Sequence, residues 1–561
     1  MKKKALFLTL LLCTGVGLIP VPAQYHSKVW DPDLGNGMYK NPVLFADYSD
    51  PDAIAVGDDY YLTASSFNCI PGLPILHSKD LVNWEIIGYA LNRQQPDSLF
   101  SKPQHGKGVW APSIRYHKGE YLIYWGDPDQ GIMRVRARQP QGPWSEPECV
   151  IAGKGMIDSC PLWDESGHCY LVNGWAGSRA GFNSVLTMWE LSADGSHAIS
   201  APRIVYDGGQ VNHTTEGPKL YHHDGWYWIL CPAGGVERGW QLAMRSRTPF
   251  GPYEARTVMH QGHTDINGPH QGAWVHTALG EDWFLHFNDR NAYGRVVYLQ
   301  PMAWKGGWPV IGNDKDGDGC GEPYTTWRKP KGNSKTRVNP QESDEFNTGE
   351  LGLQWQWQAN YNPLWGMPTA NGTLRLYNAD ELPGNGLWQA GNLLLQKLPA
   401  PKFTATAKVR ISAKSDGQYA GVVVMGMNYQ ALVCRRKGKK FELLQINCKD
   451  ADRQGKETEK ILATLEPTEV DTIPKDRCPE VCPSALPYSP AIHEDIYLRI
   501  SIDKGQARFA YSLDNKHYRA AGDVFTLRKG KWIGAKMGLV SMRPGTTGNR
   551  GWMDVDWFRV E

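Results

Sequence analysis

The sequence predicts an all-β protein in which a five-bladed β-propeller precedes a β-sandwich of the jelly-roll type. Two patterns favour this fold: five segments in the first two-thirds of the chain repeat one hairpin motif, and a second series of alternating strands follows them. The composition agrees, because 23 Trp, 25 Tyr and 60 Gly residues suit a β-rich protein. At 561 residues the chain exceeds one ordinary hydrophobic core, so two domains are expected.

The chain begins with MKKKALFLTLLLCTGVGLIPVPAQ, which contains three lysines, a short apolar run and the small residue Ala23. This arrangement is typical of a secretory signal peptide, so residues 1–23 are expected to be removed and the protein to be secreted or periplasmic. Cys13 lacks a preceding small residue, which argues against lipoprotein processing. In an oxidising compartment Cys478 and Cys482 are close enough in sequence to bridge, although spacing alone assigns no disulfide.

Residues 24–327 contain the repeat that predicts the propeller. Each copy has an apolar segment, a turn with Gly or Asp, and an alternating aromatic segment, with turns about 48 to 62 residues apart. This period fits a four-stranded propeller blade, and the alternation indicates strands. A sandwich with similar hairpins is the alternative. The five turn glycines are Gly57, Gly119, Gly167, Gly225 and Gly280.

Three acids stand just before these hairpins in small-residue settings: Asp50 in DYSDPDA, Asp158 in GMIDSCPLW and Glu216 in HTTEGPKL. The innermost strand of every propeller blade runs along the central axis. Acids at matching places in different blades are therefore expected to converge at one end of that axis. A single aspartate at a strand entry more often caps a turn, and Asp52 is interpreted in that way.

Three convergent carboxyl groups suit glycosidic hydrolysis. One carboxylate accepts a proton from water, one carboxylic acid donates a proton, and a nearby carboxylate raises the pKa of the acid by repulsion. Glu216 has the longer side chain needed to reach a leaving oxygen, and Asp158 suits the third role.

The segments NPVLFADYSDPDAIAVGDDYYLTASSF and GVWAPSIRYHKGEYLIYW resemble family 43 of the glycoside hydrolases, a family of inverting enzymes with five-bladed propellers. The resemblance covers roughly residues 38–311. It implies that Asp50 is the general base that activates water and that Glu216 is the general acid. It implies that Asp158 adjusts the pKa and orientation of that acid.

The same resemblance implies further pocket residues. NAYGRVVYLQPMAWKGGWP resembles a segment whose arginine lies near the pKa-adjusting aspartate and the sugar, which favours Arg295 over Arg290. NGPHQGAWVH resembles a segment whose histidine, here His270, meets a calcium ion or a water cluster in the central channel; a hydrogen-bonded core histidine is the alternative. Trp110 and Phe67 lie in segments that face the pocket in relatives and are expected to form its apolar wall.

The stretch NDKDGDGCGEP resembles the first half of a calcium-binding EF-hand loop, with Asp314, Asp316 and Asp318 at alternate positions. The twelfth position is Thr325 instead of the usual glutamate, and Glu322 is a possible substitute. A structural calcium ion is one interpretation and a solvated acidic turn is the other. The chemistry itself is expected to require no cofactor.

Residues 328–342 are basic, without apolar periodicity, and are predicted to be a linker. Residues 343–561 alternate as strands from DEFNTGELGLQWQWQ to WMDVDWFRVE and are predicted to form the sandwich. This part resembles the C-terminal sandwich of many xylosidase-like members of the family. In some relatives a loop of that domain closes the rim of the active site.

The formal net charge of +2, from 60 basic and 58 acidic residues, gives no electrostatic case for nucleic acid. No stretch after the signal peptide is apolar for long enough to span a membrane. The predicted function is exo-acting, inverting hydrolysis that removes terminal β-D-xylosyl or α-L-arabinofuranosyl units from a plant oligosaccharide or polysaccharide. An endo-acting arabinanase and a non-catalytic sugar-binding propeller are the alternatives, and the sequence does not determine the oligomeric state.

Overall fold

The structure is a computed structural model, and it describes residues 24–332, 335–381, 386–466, 491–545 and 549–561. The predicted signal peptide and the possible bridge between Cys478 and Cys482 lie outside these residues. The eight described cysteines are all free thiols, and six of them are buried.

The first part of the protein is a five-bladed propeller, as predicted. Its strands in chain order are β1 (Met38–Lys40), β2 (Asp52–Val56), β3 (Asp59–Thr63), β4 (Gly72–Ser78), β5 (Trp84–Leu91), β6 (Trp110–His117), β7 (Glu120–Asp127), β8 (Gly131–Ala137), β9 (Glu148–Ala152), β10 (Met156–Trp163), β11 (Cys169–Trp175), β12 (Val185–Leu191), β13 (Arg203–Asp207), β14 (Lys219–His223), β15 (Trp226–Ala233), β16 (Trp240–Ser246), β17 (Glu254–Met259), β18 (His270–His276), β19 (Asp282–Asp289), β20 (Arg295–Lys305), β21 (Trp308–Ile311) and β22 (Thr326–Arg328). Strands β2–β5, β6–β9, β10–β13, β14–β17 and β18–β21 each form one antiparallel blade with its strands in sequence order.

The first strand of each blade lies at the centre of the ring, since β2 lies beside both β6 and β18, and β10 lies beside both β6 and β14. The five turn glycines predicted from the repeat each lie in the turn after the first strand of a blade, and each has a positive φ between 61° and 84°. Glycine adopts such angles without steric cost, which explains why the repeat preserves it.

The ring is closed by the segment that precedes blade 1. Strand β1 pairs with β22, and the backbones of Leu44 and Val297 exchange two hydrogen bonds of 3.3 and 3.0 Å. The N-terminal segment is thereby attached to blade 5.

Asp52 does not cap a turn, so that interpretation is wrong. It is fully buried at the start of β2, where its Oδ2 accepts hydrogen bonds from the backbone N–H of Ile114 at 2.8 Å and from Arg115 at 2.7 Å. Asp52 therefore joins blade 1 to blade 2.

The described helices are short. They are α1 (Asp97–Phe100), α2 (Gly177–Ala180) and three 3₁₀ turns at Asn291–Tyr293, Leu387–Gln389 and Ala451–Arg453. Within the described residues no helix has the length and apolar character needed to cross a bilayer.

The second part of the protein is a sandwich of two sheets. Its strands are β23 (Gln356–Trp357), β24 (Gly366–Pro368), β25 (Leu374–Tyr377), β26 (Ala379–Glu381), β27 (Leu394–Lys397), β28 (Lys402–Ser412), β29 (Tyr419–Met425), β30 (Tyr429–Lys437), β31 (Lys440–Cys448), β32 (Glu457–Leu465), β33 (Ala491–Asp503), β34 (Gln506–Ser512), β35 (Arg519–Thr526), β36 (Lys536–Pro544) and β37 (Trp552–Val560). One sheet has the order β23-β27-β36-β29-β30-β31-β32, with β26 also paired to β36, and the other has the order β24-β25-β37-β28-β33-β34-β35. Apolar side chains from both sheets form one buried core between them.

The loop between β35 and β36 brings the sandwich against the propeller. The N–H of Ala535 donates to the carbonyl of Ala292 at 2.7 Å, and the N–H of Gly534 donates to Asp47 Oδ2 at 2.9 Å. This loop consequently reaches the end of the ring at which the predicted acids lie.

Candidate active site

A pocket of about 460 Å³, including its open mouth, lies at one end of the propeller axis. Every blade and the sandwich contribute to its lining, which consists of Asp50, Phe67, Trp110, Ala111, Ile157, Asp158, Glu216, Val236, Gln271, Arg295 and Trp532. The site is thus surrounded on all sides.

Asp50 lies at the entry to blade 1 and is 3% exposed. Its Oδ1 accepts a hydrogen bond from the Arg295 guanidinium at 2.9 Å, and its Oδ2 accepts one from the Ser65 hydroxyl at 2.6 Å. The Ser65 oxygen in turn accepts the N–H of Ala111 at 2.7 Å, so it is fixed from the neighbouring blade. Each carboxylate oxygen of Asp50 thus has one of these partners and keeps a free lone pair.

Asp158 lies in β10 of blade 3 and is also 3% exposed. Its Oδ2 accepts the backbone N–H of Gly217 at 2.8 Å. Burial raises the pKa of Asp158 well above its usual value, and the nearby carboxyl groups of Glu216 and Asp50 raise it further.

Glu216 lies just before β14 of blade 4, and its side chain is 27% exposed, far more than that of Asp50. Its Oε1 lies 2.9 Å from Nε2 of His270, which is fully buried. Because His270 holds one carboxyl oxygen, the other is left for a substrate. The short hydrogen bond from Gly217 to Asp158 also fixes the backbone directly after Glu216.

The acids do not all occupy equivalent places in the repeat. Asp50, Ala111, Asp158 and Gly217 occupy matching places before or within the first strands of blades 1 to 4, and all have positive φ between 32° and 59°. Glu216 precedes this position by one residue, so the expected equivalence is wrong at blade 4. Aspartate tolerates the left-handed conformation better than most residues, which is consistent with Asp50 and Asp158 at two of these positions.

Arg295 lies at the start of β20, lines the pocket and pairs with Asp50, whereas the resemblance implied a place near Asp158. Its guanidinium also lies 4.8 Å from the centre of the Phe287 ring. Arg290 instead donates to the Tyr298 hydroxyl at 2.6 Å and is not among the lining residues.

Aromatic rings form one wall of the pocket. Phe67 is buried, and its ring lies edge-on to Trp110 with centroids 6.4 Å apart. Trp110 in turn lies edge-on to Trp532 at 6.0 Å, and Trp532 is 48% exposed at the mouth. Phe67 and Trp110 thus lie where the sequence placed them, whereas Trp532 comes from the sandwich and was missed.

Gln271 was also missed. It follows His270 in β18, is buried, and its amide N–H lies 3.5 Å from Asp158 Oδ2. It lies in the segment NGPHQGAWVH, directly after His270. This adjacency was the feature of the sequence that could have identified Gln271 as a pocket residue.

Asp47 connects the pocket to the sandwich although it does not line the pocket. Its Oδ1 accepts the backbone N–H of Arg295 at 2.8 Å, and its Oδ2 accepts that of Gly534 at 2.9 Å. Gly534 stands two residues after Trp532, so one buried carboxylate positions the arginine and the tryptophan together.

The two predicted metal positions lie apart. The carboxyl oxygens of Asp314, Asp316 and Asp318 lie within 4.8 Å of one another, but none of these residues lines the pocket. The Lys305 ammonium already pairs with Asp314 at 3.0 Å, and Glu322 binds His263 instead of joining the cluster. Oxygen ligands of this kind suit calcium, so a calcium ion at this loop stays a prediction. A metal at His270 stays a prediction as well.

This arrangement separates two kinds of carboxyl group. Asp50 is buried and paired with the Arg295 guanidinium, while Glu216 is more exposed and lies beside Asp158, a buried carboxyl group whose pKa is raised. A group that accepts a proton and a group that donates one are therefore available across the same pocket.

Comparisons with known proteins show the family of both parts of the chain. The sequence profile of glycosyl hydrolases family 43 matches residues 39–309, and that of the beta xylosidase C-terminal concanavalin A-like domain matches residues 343–561. A putative beta-xylosidase of Xylanibacter ruminicola is 34% identical over 92% of this chain and 89% of its own length. A non-reducing end alpha-L-arabinofuranosidase of Bacteroides ovatus is 28% identical over 74% of this chain and 80% of its own. The crystal structure of a family 43 protein of Bacillus licheniformis has a TM-score of 0.76 and 25% identity, over 93% of this chain and 99% of that one.

Proposed function

Because the chain belongs to family 43 of the glycosyl hydrolases, we propose that it removes terminal β-D-xylosyl units from an oligosaccharide by inversion at the anomeric carbon. One observation carries this proposal: carboxyl groups from three blades meet in one surrounded pocket and have different partners. A pocket that has walls from every blade and from the sandwich and opens at one mouth suits the end of a chain better than its middle. A terminal α-L-arabinofuranosyl unit is the second candidate, supported by the relative of that name.

In this proposal Asp50 is the general base. Arg295 holds the carboxylate in place through an ion pair, and a free lone pair of that carboxylate accepts a proton from the attacking water. The water oxygen then forms a bond to the anomeric carbon on the face opposite the leaving group, as an inverting reaction requires.

Glu216 is the proposed general acid. Its greater exposure at the pocket and its longer side chain let it reach the glycosidic oxygen, to which it gives its proton as the bond to carbon breaks. Asp158 is proposed to position Glu216 through the hydrogen bond that it accepts from the N–H of Gly217.

The test compares two substrates, of which only one has a leaving group that must be protonated as it departs. Glu216→Ala is expected to lower kcat on a xylo-oligosaccharide by about a hundred- to ten-thousand-fold, because general acid catalysis contributes that much. The dinitrophenolate of a dinitrophenyl xyloside leaves without being protonated. Hydrolysis of that substrate by the variant should therefore fall far less. An equal loss on both substrates, or none on either, contradicts the role of Glu216.

The stereochemistry supplies an independent check. Proton NMR of the first product formed should show the anomer opposite to that of the substrate. Retention would rule out the inverting mechanism while leaving hydrolysis itself intact.

We also propose that the protein is exported and that its mature chain begins at Gln24, on the basis of the N-terminal sequence pattern. N-terminal sequencing of the protein recovered outside the cytoplasm tests this. A mature chain that still begins at Met1 would contradict it.

A further inference from the structure

Four cationic side chains from separate parts of the chain lie near Trp110 and Trp532, the aromatic residues that line the pocket wall. They belong to Lys107 before blade 2, Lys154 between blades 2 and 3, Arg179 in α2 and Lys531 in the sandwich. If the pocket holds the terminal sugar, the remainder of the substrate extends through the mouth, where Trp532 is 48% exposed.

Lys154 and Arg179 are brought together by backbone hydrogen bonds. The glycines on both sides of Lys154 donate their N–H groups to the carbonyls of Gln130 and Pro128, each at 2.9 Å, which places Lys154 beside Asp129. Arg179 binds that same Asp129 at 3.1 Å, and its guanidinium lies 5.7 Å from the centre of the Trp110 ring.

Lys531 and Lys107 approach from the other side of Trp110. The side chain of Lys531 packs directly on Gly106, since a Cβ added there would lie 2.9 Å from its Cγ. The carbonyl of Gly106 accepts the indole N–H of Trp110 at 3.0 Å, and Lys107 is the next residue. Lys531 also directly precedes Trp532, which lines the pocket.

The acidic groups at the mouth do not balance this charge. Asp129 is paired with Arg179, and its pKa lies below the usual range because Arg179 binds it and because Lys107 and Lys154 stand nearby. Glu237 and Arg238, which follow Val236 on the blade 4 side, have opposite signs and cancel.

The remaining ammonium groups are those of Lys107, Lys154 and Lys531. None of them has a carboxylate within 4.0 Å among the residues that the structure describes. Lys154 and Lys531 are exposed, and Lys107 is partly exposed.

We propose that this cationic rim binds an acidic leaving group, namely an oligosaccharide whose units next to the terminal sugar carry uronic acid carboxylates. The inference rests on the proposed function and adds the class of substrate. Unpaired cations around a site raise the local concentration of an anion and hold its carboxylate by charge-assisted hydrogen bonds. Neutral oligosaccharides would gain nothing from them.

The decisive experiment uses one acidic xylo-oligosaccharide and the same compound after reduction of its carboxyl group to an alcohol. The full-length protein is expected to hydrolyse the acidic form with a kcat/KM about threefold higher at low salt, the size expected for exposed charges across water. The advantage should vanish at high salt, where the screening length shrinks to about 3 Å.

The variant that tests the rim is K107Q/K154Q/K531Q. It should lose the preference for the acidic form while its kcat/KM on the reduced form stays unchanged. Lys439→Gln, in the exposed turn between β30 and β31, is the matched control and should keep the preference.

The outcomes separate the two proposals. Hydrolysis of the reduced form at the same rate as the acidic form overturns the cationic rim and leaves the proposed function standing. Retention of the acidic preference in the triple variant also overturns it. If neither form is cleaved by the unaltered protein, the proposed function fails and the inference fails with it.

Discussion

Asp47→Asn tests whether one buried carboxylate couples the sandwich to catalysis. Asp47 is 3% exposed and accepts two backbone N–H groups, from Arg295 at 2.8 Å and from Gly534 at 2.9 Å. An asparagine keeps one acceptor oxygen, but its amide NH₂ must face the other N–H. One buried donor is then left without a partner, which costs about 1–3 kcal/mol of stability.

The same loss loosens Arg295 or the loop that carries Trp532 by a fraction of an ångström or more. Small displacements of groups that orient a substrate are expensive, so we expect kcat/KM on a xylo-oligosaccharide to fall by about tenfold or more. Steady-state kinetics and thermal unfolding of the purified variant measure the two effects.

Asp344→Asn is the matched control. Asp344 is equally buried in the sandwich and accepts the N–H groups of Phe346, Gly352 and Trp355 between 2.9 and 3.1 Å, but it lies outside the pocket lining. The control should lose a similar amount of stability and keep its kcat/KM. Should both variants lose stability and neither lose activity, the positioning role of Asp47 is refuted.

Three further predictions concern Trp532 at the pocket mouth, the buried Glu342 and the acidic loop that contains Asp316. Trp532→Ala should lower kcat/KM by about tenfold because contact area with the substrate is lost. Its Tm should change little, because the ring is half-exposed. Unchanged kinetics would exclude Trp532 from the site. Burial raises the pKa of Glu342 to about 7 from 4.5, so the folded protein holds the extra proton between these values and loses stability as pH rises from about 4.5 through 7. Glu342→Gln should therefore stabilise the protein by up to about 3 kcal/mol at pH 8.5 and have little effect near pH 4.5 in urea unfolding, unlike the exposed Glu350→Gln. Millimolar calcium should raise the Tm of the unaltered protein but not that of Asp316→Asn, and an equal response of both would exclude the loop as a calcium site.

The propeller could be predicted from the sequence because its blades repeat, and the sandwich could be predicted from its run of alternating strands. Each blade buries its own hairpin, and each hairpin needs a glycine with positive φ, so the five copies and their turns are visible in the sequence. The convergence of Asp50, Asp158 and Glu216 followed from the same symmetry, because the first strand of each blade faces the axis.

The residues that the sequence did not reveal depend on contacts between distant segments. Trp532 stands 422 residues after Trp110, its neighbour in the pocket wall, and no local pattern marks it. The local sequence does not distinguish Asp47 from other loop aspartates, because its partners Arg295 and Gly534 are distant in the chain. Asp52 was misinterpreted for the same reason, since its partners belong to the next blade.

The displacement of Glu216 by one residue is itself informative about the mechanism. If the acid stood at the position of Gly217, it would be equivalent to Asp50 and Asp158, both of which are almost fully buried. One step earlier, the side chain is 27% exposed, and the following N–H becomes free to bind Asp158 at 2.8 Å. The same local change thus gives the proposed proton donor access to a leaving group and ties the backbone beside it to the neighbouring carboxyl group of Asp158.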